Sequence, residues 1–217
     1  MRLCESELAK LTPLERLALD SFLLAKWLEG AANARLDVLA ELANDGFSID
    51  AADPDGFTAL LVGAAEGRSE VVRFLLERKA DTRKQTAELR LDALHLAIRS
   101  GHVHIVKLLC EADSSPAHID SVDGEGDSAL ICACAEGQPD MVTELIKSGA
   151  EASQTNAYGA SALMCALSSG GGIHVDAQDR NRCRILRELL DRAPTLINSC
   201  LPDGARVSSV RQRGLQP

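Results

Sequence analysis

The strongest constraint in this 217-residue chain is an internal repeat. The pair Ala-Leu stands at 59–60, 93–94, 129–130 and 162–163, in steps of 34, 36 and 33 residues. Around it, the stretches 53–81, 91–113, 123–151 and 156–167 share one order. A turn, bearing Gly56, Gly126 or Gly159 in three of the four, leads into a short run of small apolar residues. A glycine stop follows at 67, 101, 137 or 170, and then a second apolar run. Two helices of about ten residues joined by a tight turn pack antiparallel, and neither buries its apolar stripe without a neighbouring unit. A period between about 20 and 50 residues is the signature of such stacked architectures.

Composition narrows the reading. Hydrophobic residues make up 46% of the chain but aromatics only 3%, so the core rests on Leu, Val, Ile and Ala and favours close helix contacts over a β-sandwich. The net charge of -9 is uneven: residues 1–179 hold 15 Lys+Arg against 29 Asp+Glu, a balance of -14, and residues 180–217 hold 8 Arg against 3 acids, a balance of +5. An acidic body argues against nucleic acid, whose binding rests on neutralising phosphates. Such binding would need Arg180, Arg182, Arg184, Arg187 and Arg192 to form a patch. Seven cysteines, an odd number, a charged N-terminus without a signal-peptide core, and no run of about 18 apolar residues predict free thiols and no membrane span. The expected compartment is reducing, cytoplasmic or nuclear.

The run ALHLAIRSGHVHIVKLL resembles the T-P-L-H-x-A-A…G-H…V-V-x-L-L-L pattern of the ankyrin repeat, and DGFTAL and KSGAE match its turn and closing loop. The resemblance covers roughly residues 20–205. It implies an all-α repeat solenoid, an ankyrin-type helix-turn-helix stack with short β-hairpin or loop fingers. A single domain is expected over 1–205, with units at 13–52, 53–86, 87–122, 123–155 and 156–197. A partial sixth unit is expected at 198–206, an insertion at 171–184 and a disordered tail at 206–217. Ala59, Ala93, Ala129 and Ala162 replace the motif's Pro, and Arg90 replaces the turn Gly, which predicts a distorted second finger.

His95, His102, His104 and Cys110 form a donor set that zinc accepts. Yet the place of His95 is filled by Leu61, Ile131 and Met164 in the other units, that of His102 by Arg68 and Gln138, and that of Cys110 by Leu76 and Ile146. A ligand position does not tolerate leucine, so these are expected to be scaffold residues and no metal or cofactor is predicted. The resemblance implies that His95 bonds to the adjoining loop backbone. Cys132 and Cys165 match Val62 and Leu96, and Cys134 matches Ala64 and Ile98, all inner-helix core positions where Cys acts as a small hydrophobe. Stacked helices lie about 8–10 Å apart, too far for a Cys132–Cys165 disulfide.

The ends differ from the middle. Thr12-Pro13-Leu14-Glu15 reads as a capping box that starts a helix running to about Ala32. Trp27 then falls on the Leu60 place and Glu29 on the Val62 place, as suits an end cap facing water. Residues 37–42 supply the second helix and Asp45-Gly46 its stop. In the fifth unit Ile185 comes fifteen residues after Gly170, where four are usual, so a flexible polar loop is expected between them. Its triple glycine lacks the Gly-Lys-Ser/Thr of a phosphate loop. INSCLPDGA (197–205) copies IDAADPDGF (49–57), and the sixth unit then dissolves. The stack is expected to end without a C-terminal cap, as a fragment or truncated product or beneath a partner. A monomer is expected unless that end pairs. Asn198 matches a loop asparagine that is hydroxylated in some family members; the first unit carries Asp50 there.

Histidines without a nucleophile turn, and carboxylates on solvated turns, predict no catalytic residues. The resemblance implies that partners bind a concave surface of finger tips and inner-helix ends. The matching positions include Asp55, Phe57, Glu66, Glu88, Leu89, Leu91, Arg99, Glu125, Asp127, Glu136 and Tyr158. Asp55, Glu66, Glu88, Glu125, Asp127 and Glu136 are acidic and only Arg99 is basic. The expected function is a non-catalytic scaffold or adaptor holding a partner with Lys/Arg-rich segments. The alternative is a targeting or regulatory part of a larger enzyme assembly, such as substrate recruitment to a ubiquitin ligase or kinase.

Overall fold

The computed structural model describes residues 12–168 and 177–192. The chain divides into two compact units, Met1–Ala112 and Asp113–Pro217. In the first, α1 (Pro13–Ala32), α3 (Ala59–Ala65) and α5 (Ala93–Arg99) pack in sequence as an inner row. Their antiparallel partners α2 (Leu36–Asn44), α4 (Ser69–Glu77) and α6 (Val103–Ala112) form an outer row. The second unit opens with the short α7 (Pro116–Ile119), then places α8 (Ala129–Ala135) against α10 (Ala162–Ser168) and α9 (Pro139–Lys147) against α11 (Ala177–Arg192). Among the described residues the backbone forms isolated antiparallel bridges but no strand. The repeating helix pairs expected from the sequence are the fold.

Each short inner helix starts at the Ala of its Ala-Leu pair because the residue before it caps the helix. Thr58, Asp92, Ser128 and Ser161 accept the amide N–H of Leu61, His95, Ile131 and Met164. Such a cap is worth about 1 kcal/mol. The helices then bury nearly everything: Leu60, Leu94, Leu130 and Leu163 are at most 5% exposed. Val71, Val72 and Leu75 of α4 and Ile105, Val106 and Leu109 of α6 complete the core from the outer row. Each buried Leu or Val contributes roughly 1.5–3 kcal/mol relative to exposure.

The capping box at α1 forms as expected, with Glu15 accepting the Thr12 amide at 2.8 Å and Thr12 Oγ1 accepting the Glu15 amide at 3.3 Å. Trp27, fully buried in the Leu60 place, meets Phe47 with ring centroids 5.5 Å apart. Glu29 is exposed, as an end cap requires. Residues 177–184, expected as flexible insertion, instead form the first turns of α11. The run AQDRNRCR holds no Gly or Pro, and Arg184 donates to Asp140 of α9 at 2.8 Å, which anchors these turns on the preceding pair. That ion pair also withdraws one arginine from the candidate nucleic-acid patch. The triple glycine, Asn198, the sixth unit and the tail lie outside the described residues. Met164 and Leu167 of α10 are 40% and 55% exposed, whereas Ile131 and Cys134, one unit earlier, are at most 1% exposed.

Two backbone positions yield a prediction. Ala34 sits at φ +56, in the place that later units give to Gly67 (φ +74) and Gly101 (φ +80). Gly126 has φ +79, and a Cβ there would lie 2.8 Å from the amide nitrogen of Ala157. Ala34→Gly is expected to stabilise the chain by about 0.5–1 kcal/mol by relieving left-handed strain. Gly126→Ala is expected to cost about 2 kcal/mol or more, exceeding Gly137→Ala, which meets open space at φ +68. Urea unfolding of the three variants measures the order.

Candidate protein-binding surface

The fingers are held by one side chain each. Asp53 Oδ1 accepts the amides of Asp55 and Phe57 at 3.0 and 2.8 Å, and the Asp53 amide donates to the Phe57 carbonyl at 3.1 Å. Asp123 does the same for Glu125 and Asp127, and Asn156 for Tyr158 and Ala160. The second finger departs, as the missing glycine at Arg90 predicts. Its closing bond runs from the Thr86 amide to the Leu91 carbonyl, enclosing one more residue, and Arg90 takes φ +51. Thr86 Oγ1 accepts the Leu91 amide at 3.0 Å in the role played elsewhere by Asp or Asn.

Fingers within a unit are also tied to each other. The Ala87 amide donates to the Asp55 carbonyl at 2.8 Å, and 70 residues on, the Ala157 amide donates to the Glu125 carbonyl at 3.2 Å. Behind them Asp50 accepts the Asp81 amide at 2.9 Å and Asp120 accepts the Glu151 amide at 2.8 Å. Fixed backbones present the intervening side chains outward.

In the first unit Asp55, Glu66, Glu88, Leu89 and Arg99 are exposed and Phe57 is half-buried. Leu91 is a correction: it is 6% exposed and belongs to the core, because Thr86 binds both its amide and its carbonyl and turns the side chain inward. In the second unit Glu125 and Glu136 are exposed and Tyr158 is 78% exposed. Asp127 is half-buried and accepts Asn156 Nδ2 at 2.8 Å, a cross-finger bond that sequence spacing does not disclose.

The histidines serve the scaffold in separate places. His95 Nδ1 and Asp92 Oδ1 meet at 2.8 Å, both fully buried. His102 Nε2 donates to the Ala65 carbonyl at 3.1 Å, and Arg68, its counterpart one unit earlier, donates through Nε to the Ala32 carbonyl at 2.7 Å. Arginine and imidazole thus perform one task, closing the C-terminal end of the preceding inner helix. His104 is exposed and Cys110 buried. A different group of donors does converge: one ligand atom each of Asp123, Asp127 and Cys132 lie within 4.8 Å of one another. Cys132 and Cys134 are buried and Cys165 is half-buried, all as free thiols. Burial, with the neighbouring Cys165 and Cys132, pushes the Cys134 thiol far above its ordinary range. Burial and the Asp127 charge raise that of Cys165.

In each unit, capped helix pairs with tied fingers define a repeat protein that presents a surface. The chain belongs to the ankyrin repeat family: residues 28–76 match ankyrin repeats (many copies) and residues 94–198 match ankyrin repeats (3 copies). It is similar to the E3 ubiquitin-protein ligase KEG of Arabidopsis thaliana, 40% identical over 92 residues, covering 42% of this chain and 5% of the ligase. Similarity to ankyrin repeat domain-containing protein 63 of Mus musculus is 33% over 143 residues, covering 62% of this chain and 36% of the mouse protein. The human transient receptor potential cation channel subfamily A member 1 is 21% identical over 203 residues, 84% of this chain and 18% of the channel. The chain thus spans little more than a third of these relatives at most. Among the described residues no helix is long and apolar enough to cross a membrane.

Thiolate is the reactive form of cysteine, so burial sets an order of labelling. Iodoacetamide at neutral pH is expected to modify the exposed Cys183 well before Cys134, which should react only after unfolding. Peptide mapping by mass spectrometry reads the order.

Proposed function

We propose that this chain is a non-catalytic module that binds a protein partner bearing Lys/Arg-rich segments through its fingers and inner-helix ends. The observation that carries the reading is the second unit, where Glu125, Asp127 and Glu136 accompany Tyr158, a 78% exposed aromatic on a finger whose backbone is already fixed. Exposed aromatics on rigid elements anchor interfaces, and a field of one sign steers the opposite charge. The first unit offers the same chemistry in Asp55, Glu66 and Glu88 around the half-buried Phe57, with Arg99 the single base of the set. Pre-formed fingers spare the ordering entropy that a flexible loop loses on binding. Membership of a family whose repeats serve protein interaction supports the same conclusion.

The repeat period continues from 94 to 130, across the boundary between the two units, which supports residues 1–205 as one domain. Free thiols support work in a reducing compartment, cytoplasmic or nuclear. The similarity to a ubiquitin ligase favours a second reading, recruitment of a substrate to a larger enzyme assembly. Identification of the co-purifying partner separates the two: an enzyme subunit supports recruitment, and a lone binding protein supports an adaptor.

The partner captured by affinity pulldown should bind at least about tenfold more weakly to the Phe57→Ala/Tyr158→Ala variant. Its affinity should fall about tenfold or more between low and high salt. An affinity unchanged by salt would contradict the electrostatic reading.

A further inference from the structure

We propose that the first half of α1 is a self-association surface, on which two copies of this chain pair antiparallel through Leu14, Leu17 and Phe22. This inference is independent of the partner-binding reading. The helix runs for 20 residues, Pro13–Ala32, whereas the inner helices α3, α5, α8 and α10 run for 7. Its buried residues Trp27, Gly30 and Ala31 all stand near its C-terminal end, and no residue of 13–26 is buried.

That extension is nevertheless apolar on two sides. Leu23 and Leu24, both half-buried, share the side that carries Trp27 and Ala31. On the opposite side Leu14, Leu17 and Phe22 are 79%, 64% and 65% exposed, with exposed Ala18, Ser21 and Ala25 between them. At about 3.6 residues per turn these positions fall on one stripe. A helix at a protein surface carries polar residues opposite its packed face, and one that is apolar on both sides is a covered one. A stretch of this length also needs a packed face to persist as helix.

The stripe is complementary to itself. When two α1 helices cross antiparallel about a two-fold axis near residue 20, Leu17 of one copy meets Phe22 of the other and Leu14 meets Ala25. The small residues Ala18 and Ser21 then lie at the crossing, where the backbones come closest. Glu15 and Lys26 stand about three turns apart on one flank of the stripe, so the same axis brings Glu15 of each copy to Lys26 of the other. One pair of residues thus supplies two contacts of opposite sign, as an isologous interface does. A parallel pair would set Glu15 against Glu15 and Lys26 against Lys26. Asp20, the charge nearest the axis, stands one heptad from the buried Trp27, on the side turned from the stripe.

The groups involved are available for this pairing. Glu15 accepts the Thr12 amide and hydroxyl through Oε2, leaving Oε1 for the second copy. The Lys26 side chain, 3.9 Å from Glu41, is 40% exposed. Ser21 Oγ donates to the Leu17 carbonyl at 2.8 Å, so covering the seam leaves no hydroxyl unsatisfied. One helix face is smaller than the ~1,600 Å² of a standard complex, which makes the dimer reversible at micromolar concentrations.

Sedimentation equilibrium of the full reduced chain between about 1 and about 500 μM tests the surface. The mean mass should rise from one chain toward two and level there. Leu17→Glu and Phe22→Glu should each raise the midpoint concentration about tenfold or more. Glu15→Lys and Lys26→Glu should each weaken association, and an equimolar mixture of the two should restore it, because both cross-pairs are then opposite in sign. Loss of the Thr12 cap in Glu15→Lys cannot produce that rescue. At about 1 μM the Tm of Leu17→Glu should match that of the wild type, because the side chain is exposed in the single chain. A mass of one chain throughout, which leaves the stripe to a different protein, overturns the proposal. So do growth beyond two chains, association unchanged in both glutamate variants, or no rescue on mixing. A lowered Tm of Leu17→Glu at the low concentration overturns it as well, by showing that the chain itself covers the stripe.

Discussion

Burial between successive helix pairs is the constraint on which everything else depends. Inner helices of seven residues are too short to persist in water by themselves, since nucleation costs more than two turns of hydrogen bonds return. Their stability comes from apolar faces such as Leu60–Leu61 and Leu94, which are covered only because the next inner helix lies against them. This explains why the Ala-Leu pair is the most regular feature of the sequence. Ile131 and Cys134 of α8, at most 1% exposed, lie on the helix that α10 packs against.

Hydrogen bonds between successive repeats, within each compact unit, refine this packing. Arg68 and His102 each reach back to a carbonyl ending the previous inner helix, and Asp50 and Asp120 each hold an amide 31 residues further on. These bonds satisfy groups that helix ends and tight loops would otherwise leave without partners. Because they use backbone on at least one side, the side chain that completes them can change chemical type. Hence histidine, a residue that invites metal or catalytic readings, is here one of several ways to donate to a carbonyl.

Local patterns made much of the fold legible: the box at Thr12 and the glycine stops each act within a few residues of chain. Departures from the period were harder to resolve. The 34-residue step announces one extra residue, but only the closure of Thr86 on Leu91 shows that the finger absorbs it and that Leu91 leaves the surface. The start of α11 was hidden because polarity was read as flexibility, although AQDRNRCR carries adequate helix formers and gains an anchor at Asp140. The Asn156–Asp127 bond joins residues 29 apart through the spacing of adjacent fingers, which no single stretch encodes.

Internal repetition supplies a criterion that a single domain cannot. A place filled by His, Leu, Ile and Met in turn, as at 95, 61, 131 and 164, contributes shape to the stack and nothing specific to histidine. A departure confined to one repeat adds chemistry that its neighbours lack. Asp127 and Cys132 replace Phe57 and Val62 within six residues, and their donor atoms meet Asp123 in space. Asp127 takes the place of an apolar side chain at the end of its finger, where it both adds negative charge and accepts Asn156 Nδ2 of the next finger at 2.8 Å. Function in such a chain is written where the repeat is broken in chemistry while its backbone bonds are kept.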